Sequence, residues 1–150
     1  MDRVWKPNVT VAAIVERGGQ FLLVEEHTET GIRLNQPAGH LEDGESLLDA
    51  VVRETLEESA YTIEPSHLLG IYRWREPGKG RTYLRFAFTG RIVAHVPEQQ
   101  LDAGIIRALW LDYAGVTAAA AQHRSPLVQR CIDDYRAGSR YPLNLLLDYG

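Results

Sequence analysis

The segment GHLEDGESLLDAVVRETLEE at residues 39–58 carries the pattern from which the fold and chemistry of this chain are inferred. Its acidic residues Glu54, Glu57 and Glu58 are spaced i, i+3 and i+4. On a helix, this spacing places them within about 100° of one another, so they share one face. Like charges at this spacing repel when exposed. Carboxylate oxygens suit Mg²⁺, which commonly binds together with substrate phosphates. The pattern therefore predicts a magnesium site for a phosphorylated ligand.

The same region predicts an amphipathic helix over residues 46–59. Leu48, Val51, Val52 and Thr55 form an apolar stripe about 100° wide beside the acidic face, and not opposite it. One edge of the helix is therefore expected to pack on a sheet while the acids face a cleft.

Strands are predicted on both sides of this helix. Residues 9–15 are β-branched and almost wholly apolar, as expected of a strand that is buried on both faces. Gly18 and Gly19 favour a hairpin turn to a returning strand at 21–24, whereas the polar residues 25–33 predict a loop. The other predicted elements here are strands at 68–74, 82–92 and 105–111, and a turn at 76–81.

Two helices are predicted after the last strand. Asp112 is suited to cap a short helix that ends near His123. The final helix has Ser125 at its N-cap, Pro126 in its first turn and Gly138 just past its end. Mixed strands with helices on either side predict an α/β fold, an α/β/α sandwich with a mixed β-sheet.

Length and composition favour a single domain over residues 1–150. Apolar residues make up 45% of the sequence and charged residues 24%, both ordinary for a globular protein. The net charge of −4 argues against a partner that is an extended nucleic acid. The single cysteine, Cys131, excludes an intrachain disulfide and a CxxC metal site, and its apolar neighbours predict that it is buried.

Hydropathy predicts a cytoplasmic protein that does not contact a membrane. The sequence has no apolar run of the roughly 18 residues that a membrane helix needs. Its start, MDRVWKPNVTV, lacks the apolar core of a signal peptide.

The spacing of six residues within 39–61 resembles the signature of the Nudix hydrolases. That signature is a glycine, five residues, a glutamate, seven residues, Arg-Glu, two residues and Glu-Glu, and six set positions match by chance in roughly one chain in 10⁵. The matching residues are Gly39, Glu45, Arg53, Glu54, Glu57 and Glu58. The resemblance implies a Nudix fold and an enzyme that hydrolyses phosphoric anhydrides with Mg²⁺, which Mn²⁺ is able to replace.

The resemblance also implies a role for each matching residue. The Gly39 carbonyl and the three glutamates on the helix face are expected to bind the metal, and one of those glutamates to accept a proton from water. Glu45 and Arg53 are expected to orient the carboxylates. Because they lie about two turns and roughly 80° apart on a helix, direct contact and an indirect role both stay open.

The sequence departs from the family pattern at three places. Thr55 stands where an aliphatic residue is usual, and Ala60 where glycine is usual. A left-handed helix end at Ala60 would cost about 1–2 kcal/mol, so we expect a different exit from the helix. A glutamate that many relatives have downstream is absent from LDAGIIRALW, and Asp102 and Glu98 are the nearest substitutes.

A basic stretch of the sequence supplies candidate residues for contact with the substrate. Five of the sixteen Lys and Arg residues fall within thirteen positions, and they are Arg73, Arg75, Lys79, Arg81 and Arg85. A basic lip that holds phosphates and a solvated hairpin are equally open, and Arg85, inside a strand of core character, is the most promising. Tyr72 and Trp74 share one strand face and would either stack on a ring or pack in the core.

A further resemblance, to one bacterial phosphatase subgroup of the Nudix family, covers nearly the whole chain. It is carried by WKPNVTVA, NQPAGHLE, YLRFAF, RSPLV and SRYPL. It implies release of phosphate or pyrophosphate from nucleoside triphosphates and diphosphates, hydroxymethylpyrimidine pyrophosphate and thiamine pyrophosphate. Dinucleotide polyphosphates or nucleotide sugars are alternative substrates, and a nucleotide sensor without catalysis is an alternative of another class. Monomer and homodimer both stay open.

Overall fold

The computed structural model describes residues 3–150, so the first two positions of the predicted domain lie outside the described residues. Within that range the fold is mixed α/β, as predicted. The strands are β1 (Asn8–Ile14), β2 (Glu16–Arg17), β3 (Gln20–Thr28), β4 (Gly31–Asn35), β5 (Ala38–His40), β6 (Tyr61–Arg75), β7 (Thr82–His95) and β8 (Ile105–Asp112). The α-helices are α1 (Leu47–Ser59), α2 (Tyr113–Ala118) and α3 (Leu127–Arg136).

The strands form two sheets. The first has the order β5-β1-β7-β6; β1 and β7 are parallel and the other pairs antiparallel, so this sheet is mixed as predicted. In the second, antiparallel sheet, β3 pairs with β2, β4 and β8.

Helices cover the mixed sheet on both faces, which makes the predicted sandwich. Alternate residues of β1 point to opposite faces: Val11 and Ala13 pack with Val51 of α1, whereas Ala12 packs with Val128 of α3. This explains why β1 is apolar almost throughout. Cys131 of α3 is fully buried, as predicted.

Helix α1 covers the predicted residues and ends at Ser59, but its exit at Ala60 differs from the expectation. The Ser46 hydroxyl accepts a hydrogen bond from Asp49 N at 3.1 Å and caps the helix. The expectation of a different exit at Ala60 is wrong, since Ala60 has φ 64°, in the left-handed region. Two backbone bonds accompany this conformation: a local one, in which Ala60 N donates to Leu56 O at 2.9 Å, and a tertiary one, in which Val96 N donates to Ala60 O at 3.0 Å.

The prediction of a loop at residues 25–33 is also wrong. β3 continues through its polar end to Thr28, turns at 29–30, and pairs with β4. Its acids are matched by cations on neighbouring elements, Glu25 by Arg107 at 3.2 Å and Glu26 by Arg124 at 2.6 Å. Backbone pairing of β3 with β4 and β8, and not hydrophobic alternation, therefore carries the strand through these polar residues.

The remaining elements differ from the predictions mainly in length. β6 and β7 are longer than the predicted strands at 68–74 and 82–92, and β6 contains Pro65, which fits at a bulged sheet edge. Asp112 caps α2, which is followed by a 3₁₀ turn before His123. α3 begins at Leu127 with Pro126 in the N-cap position, one residue later than predicted, and the Ser125 hydroxyl accepts a hydrogen bond from Leu127 N at 3.1 Å.

Gly90 allows the backbones of β6 and β7 to approach closely at the bulge. A Cβ atom there would overlap the carbonyl of Glu64, a backbone group that cannot rotate away. We therefore expect Gly90→Ala to lower the free energy of unfolding by about 2–3 kcal/mol in urea denaturation.

Gly70→Ala is the matched control for Gly90→Ala. There, a new Cβ would lie 3.0 Å from the ring of Tyr72, a side chain that can shift. Its cost should be smaller, and an equal or larger cost at Gly70 would contradict this account of the bulge.

Candidate functional site

A cavity of about 680 Å³ opens on the α3 side of the mixed sheet. Three neighbouring strands supply part of its wall, because His40 of β5 is in register with Thr10 of β1, and Thr10 with Arg85 of β7. The acidic face of α1 reaches the same cavity through Glu54 and Glu58. The cavity is therefore acidic at one part of its wall and contains a buried cation at another.

Gly39 lets the Glu54 carboxylate reach the cavity. A Cβ atom at Gly39 would overlap that carboxyl group, so only glycine leaves room for it. Glu54 is 8% exposed, and its burial raises the pKa of its carboxyl, an effect that the Arg53 guanidinium opposes. Gly39 and Glu54, fifteen residues apart in the sequence motif, are therefore in contact in the fold.

One group of carboxylates among residues 3–150 is compact enough to hold a metal ion jointly. Oxygen atoms of Glu54, Glu57 and Asp102 all lie within 4.8 Å of one another. Asp102 is held beside the helix because its backbone N donates to Glu57 O at 3.0 Å. Glu98, the other candidate substitute, is exposed and outside this group. The all-oxygen donor set fits a hard divalent cation.

Glu58 is placed differently from the other two glutamates. It lines the cavity without joining the compact group, and its Oε1 accepts a hydrogen bond from Ala38 N at 2.9 Å. Burial raises the pKa of Glu58 to about 8, with further contributions from nearby carboxylates. The predicted set of Gly39, Glu54, Glu57 and Glu58 is therefore not one compact cluster, although all four lie on adjoining parts of the site.

Arg53 contacts the acidic residues directly, which answers the question left open by sequence. Its guanidinium donates to both oxygens of Glu45, at 2.9 and 2.7 Å. It also donates to Glu54 at 2.7 Å, to Glu57 at 3.1 Å and to the carbonyl of His40 at 3.1 Å. The hydrogen bond from Arg53 also lowers the pKa of Glu45. Arg53 thus offsets part of the repulsion on this face.

The residues predicted to contact substrate separate into two groups. Arg85 and Trp74 line the cavity, whereas Tyr72 and Arg75 do not. Tyr72 instead donates its hydroxyl proton to Asp134 of α3 at 2.7 Å, and Arg75 is exposed.

The basic stretch contributes two more cavity residues, and both of them form ion pairs. Lys79 bonds Glu29 at 3.1 Å and Arg81 bonds Glu76 at 2.8 Å. These pairs support neither a purely basic lip nor a purely solvated hairpin.

Sequence reasoning missed other residues of the cavity wall. Tyr83 stacks beside Trp74, with ring centroids 5.9 Å apart, and its position two residues before Arg85 places both on one strand face. Alternation along β7 was the signal that would have found Tyr83. Asn35 also lines the cavity, and nothing in its local sequence distinguishes it from a turn residue.

Comparison with known proteins shows which family shares this arrangement. Residues 5–131 match the sequence model of the NUDIX domain family. The chain is 39% identical over 146 residues to the phosphatase NudJ of Escherichia coli K12, covering 97% of this chain and 94% of NudJ.

Solved structures agree with the sequence comparisons. A NUDIX hydrolase from Nitrosomonas europaea is 52% identical, with a TM-score of 0.94 and coverage of 96% of this chain and 98% of that one. A MutT NUDIX hydrolase from Burkholderia pseudomallei, 17% identical, has a TM-score of 0.69 over 87% of this chain and 98% of its own, which shows the shared fold.

Every helix within residues 3–150 is too short or too polar to cross a bilayer.

The contact between Gly39 and Glu54 is testable by a double-mutant cycle. Gly39→Ala should destabilise the protein by about 1–3 kcal/mol, because the new methyl group displaces the Glu54 carboxylate. In a Glu54→Ala background the same change should cost little. Urea denaturation of the four proteins measures the coupling, and an unchanged cost in both backgrounds would contradict the contact.

The raised pKa of Glu58 predicts how stability depends on pH in metal-free protein. In the folded protein the Glu58 carboxyl keeps its proton up to a pH of about 8, whereas in the unfolded chain it loses the proton above about pH 4.5. The Glu58 contribution is therefore complete below pH 4.5 and is lost as pH rises toward 8. Between pH 5.5 and 8, the free energy of unfolding in EDTA should fall by an amount on the order of 2–3 kcal/mol.

Glu58→Gln supplies the control for the pH experiment. The amide cannot ionise, so the variant should lose most of this pH dependence and be the more stable protein at pH 8. A wild-type curve that is flat, or one that Glu58→Gln leaves unchanged, would show that Glu58 titrates normally.

Proposed function

The chain belongs to the NUDIX family, and from that premise we propose the substrates and the metal of its reaction. It is a phosphatase or pyrophosphohydrolase of this family. Its proposed substrates are nucleoside triphosphates and diphosphates, hydroxymethylpyrimidine pyrophosphate and thiamine pyrophosphate, and its proposed metal is Mg²⁺, which Mn²⁺ is able to replace. Nearly full-length similarity to a protein called phosphatase NudJ supports this choice of substrates.

The compact carboxylate group beside a large cavity is the observation that supports the proposal most. Glu54, Glu57 and Asp102 offer oxygen ligands within 4.8 Å of one another, next to a cavity of about 680 Å³. A pure nucleotide sensor has no need of this acidic group, which favours an enzyme. A phosphorylated metabolite brings its own negative charge, so binding it beside carboxylates requires a cation.

The acidic residues have separate proposed roles. Glu54, Glu57 and Asp102, with the Gly39 carbonyl, would hold the metal, and Arg53 and Glu45 would keep the helix-borne carboxylates oriented. When bound, Mg²⁺ would neutralise charge on the phosphate oxygens and acidify the attacking water. Phosphoryl transfer depends mainly on positioning and electrostatics, so small displacements of these side chains should be costly.

Glu58 is the proposed proton acceptor. It lines the cavity without joining the compact carboxylate group, which leaves it available to accept a proton. The bond from Ala38 N occupies Oε1, and the second carboxyl oxygen has no protein partner among the described residues. That oxygen would take the proton from water.

Trp74 and Arg85 are the proposed substrate contacts. Both line the cavity, and they lie on adjacent strands of the mixed sheet. The aromatic ring of Trp74 would pack against the base or pyrimidine ring of the substrate.

A phosphate-release screen tests the proposal. Purified protein with Mg²⁺ should release phosphate or pyrophosphate from nucleotides and thiamine-related pyrophosphates faster than from dinucleotide polyphosphates or nucleotide sugars. The reverse preference would favour the alternative substrates. Inactivity throughout, together with tight nucleotide binding, would favour the sensor.

The role of Asp102 can be tested against Glu98. Asp102→Asn should weaken the apparent Mg²⁺ affinity by roughly tenfold or more, because one of the three close carboxylates is lost. Glu98→Gln removes the same charge from an exposed position outside the group and should leave the affinity nearly unchanged. Mg²⁺ titration of hydrolysis measures both, and equal losses would contradict the assignment of Asp102.

Three sequence-based expectations stay predictions. They are one domain over residues 1–150, a cytoplasmic location without membrane or nucleic-acid partners, and a monomer or homodimer.

A further inference from the structure

Arg85 is a buried cation that has no carboxylate partner within residues 3–150. It is 5% exposed, and it forms none of the ion pairs found among residues 3–150. Buried charges are normally paired, because removing a guanidinium from water is costly. The side chain nevertheless lines the main cavity.

Neutral groups hold the guanidinium in place. Nη1 donates to Gln36 Oε1 at 2.9 Å and approaches Cys131 Sγ at 3.7 Å, and Nη2 donates to Asn35 Oδ1 at 3.0 Å. These contacts fix the orientation of Arg85 and leave its charge uncompensated. Of its five N–H groups, those not used by these acceptors are on Nη2 and Nε.

The amide of Gln36 is itself fixed by two opposite contacts. Its Oε1 accepts from Arg85, while its Nε2 donates to the carbonyl of Val128 in α3 at 2.9 Å. Because arginine only donates and a carbonyl only accepts, the amide has one orientation that satisfies both partners. Gln36 is 1% exposed, so this support is buried beneath the cavity.

Arg85 is separated from the metal-binding carboxylates. It lies on β7, two strands away from β5, where Gly39 contacts Glu54. Strands are spaced about 4.8 Å apart, so the backbones of these positions are roughly 10 Å apart. A substrate that reaches from the carboxylates to Arg85 therefore needs negative charge at some distance from the bond that is cleaved.

We propose that Arg85 forms a second phosphoryl-binding subsite, and that Asn35 and Gln36 are positioning residues that keep its charge available to the ligand. Identifying the anion as a phosphoryl group rests on the proposed function. Guanidinium groups donate well to phosphate oxygens, which would supply the missing counter-charge. A carboxylate at position 35 or 36 would instead neutralise Arg85 from within the protein.

Asn35→Asp tests this subsite with an isosteric change. Among the described residues, the Asn35 side chain forms one hydrogen bond, which it accepts from Arg85. The new carboxylate should therefore pair with Arg85 without disturbing the fold. We expect the variant to bind inorganic pyrophosphate roughly tenfold more weakly or worse, measured by calorimetry on the full chain in EDTA. With Mg²⁺, KM should rise by a similar factor while kcat changes much less.

A control variant separates pairing from general charge repulsion. Thr30→Asp adds the same charge at an exposed position of the cavity rim, away from the contacts of Arg85, and should weaken binding much less.

The outcomes distinguish this inference from the proposed function. If Asn35→Asp binds pyrophosphate as the wild type does, if Thr30→Asp is equally impaired, or if the wild type itself does not bind, the subsite is refuted. Pyrophosphate binding that is sensitive to Asn35→Asp in a protein that hydrolyses nothing would support the subsite and overturn the proposed function.

Discussion

The acidic site depends on the hydrogen bonds that the Arg53 guanidinium donates to its carboxylates. One cation donates to Glu45, Glu54 and Glu57 and also ties the helix to the carbonyl of His40 on strand β5. This arrangement relieves repulsion between carboxylates that would otherwise turn away from one another. Because a single positive charge cannot balance three carboxylates and Asp102, the site keeps the negative charge that a divalent cation needs.

The fold brings that acidic site to one end of a cavity and an uncompensated arginine to another. Glycine at position 39 allows the helix carboxylate to pass the edge of the mixed sheet, and the short strand β5 places this passage beside β1 and β7. Arg85 reaches the same cavity from β7, supported by neutral amides. The cavity thus has separate places for a cation and for an anionic group.

Local patterns in the sequence were sufficient for helix α1 and the buried strand β1, since helical spacing and β-branched runs act over a few residues. They were insufficient where distant contacts decide. Ala60 adopts a left-handed conformation with its carbonyl bonded to the distant Val96 N, and residues 25–28 form a strand because they pair with β4 and, in part, with β8. Asp102, and not Glu98, lies beside the helix carboxylates because its backbone N donates to Glu57 O. Residue spacing in the sequence does not reveal this contact.

Anomalous diffraction at the manganese edge, from crystals of the full chain grown with Mn²⁺, tests the central claim most directly. This account predicts a manganese peak in coordination with the carboxylates of Glu54, Glu57 and Asp102. Manganese bound elsewhere, with those three carboxylates free of metal, would contradict it.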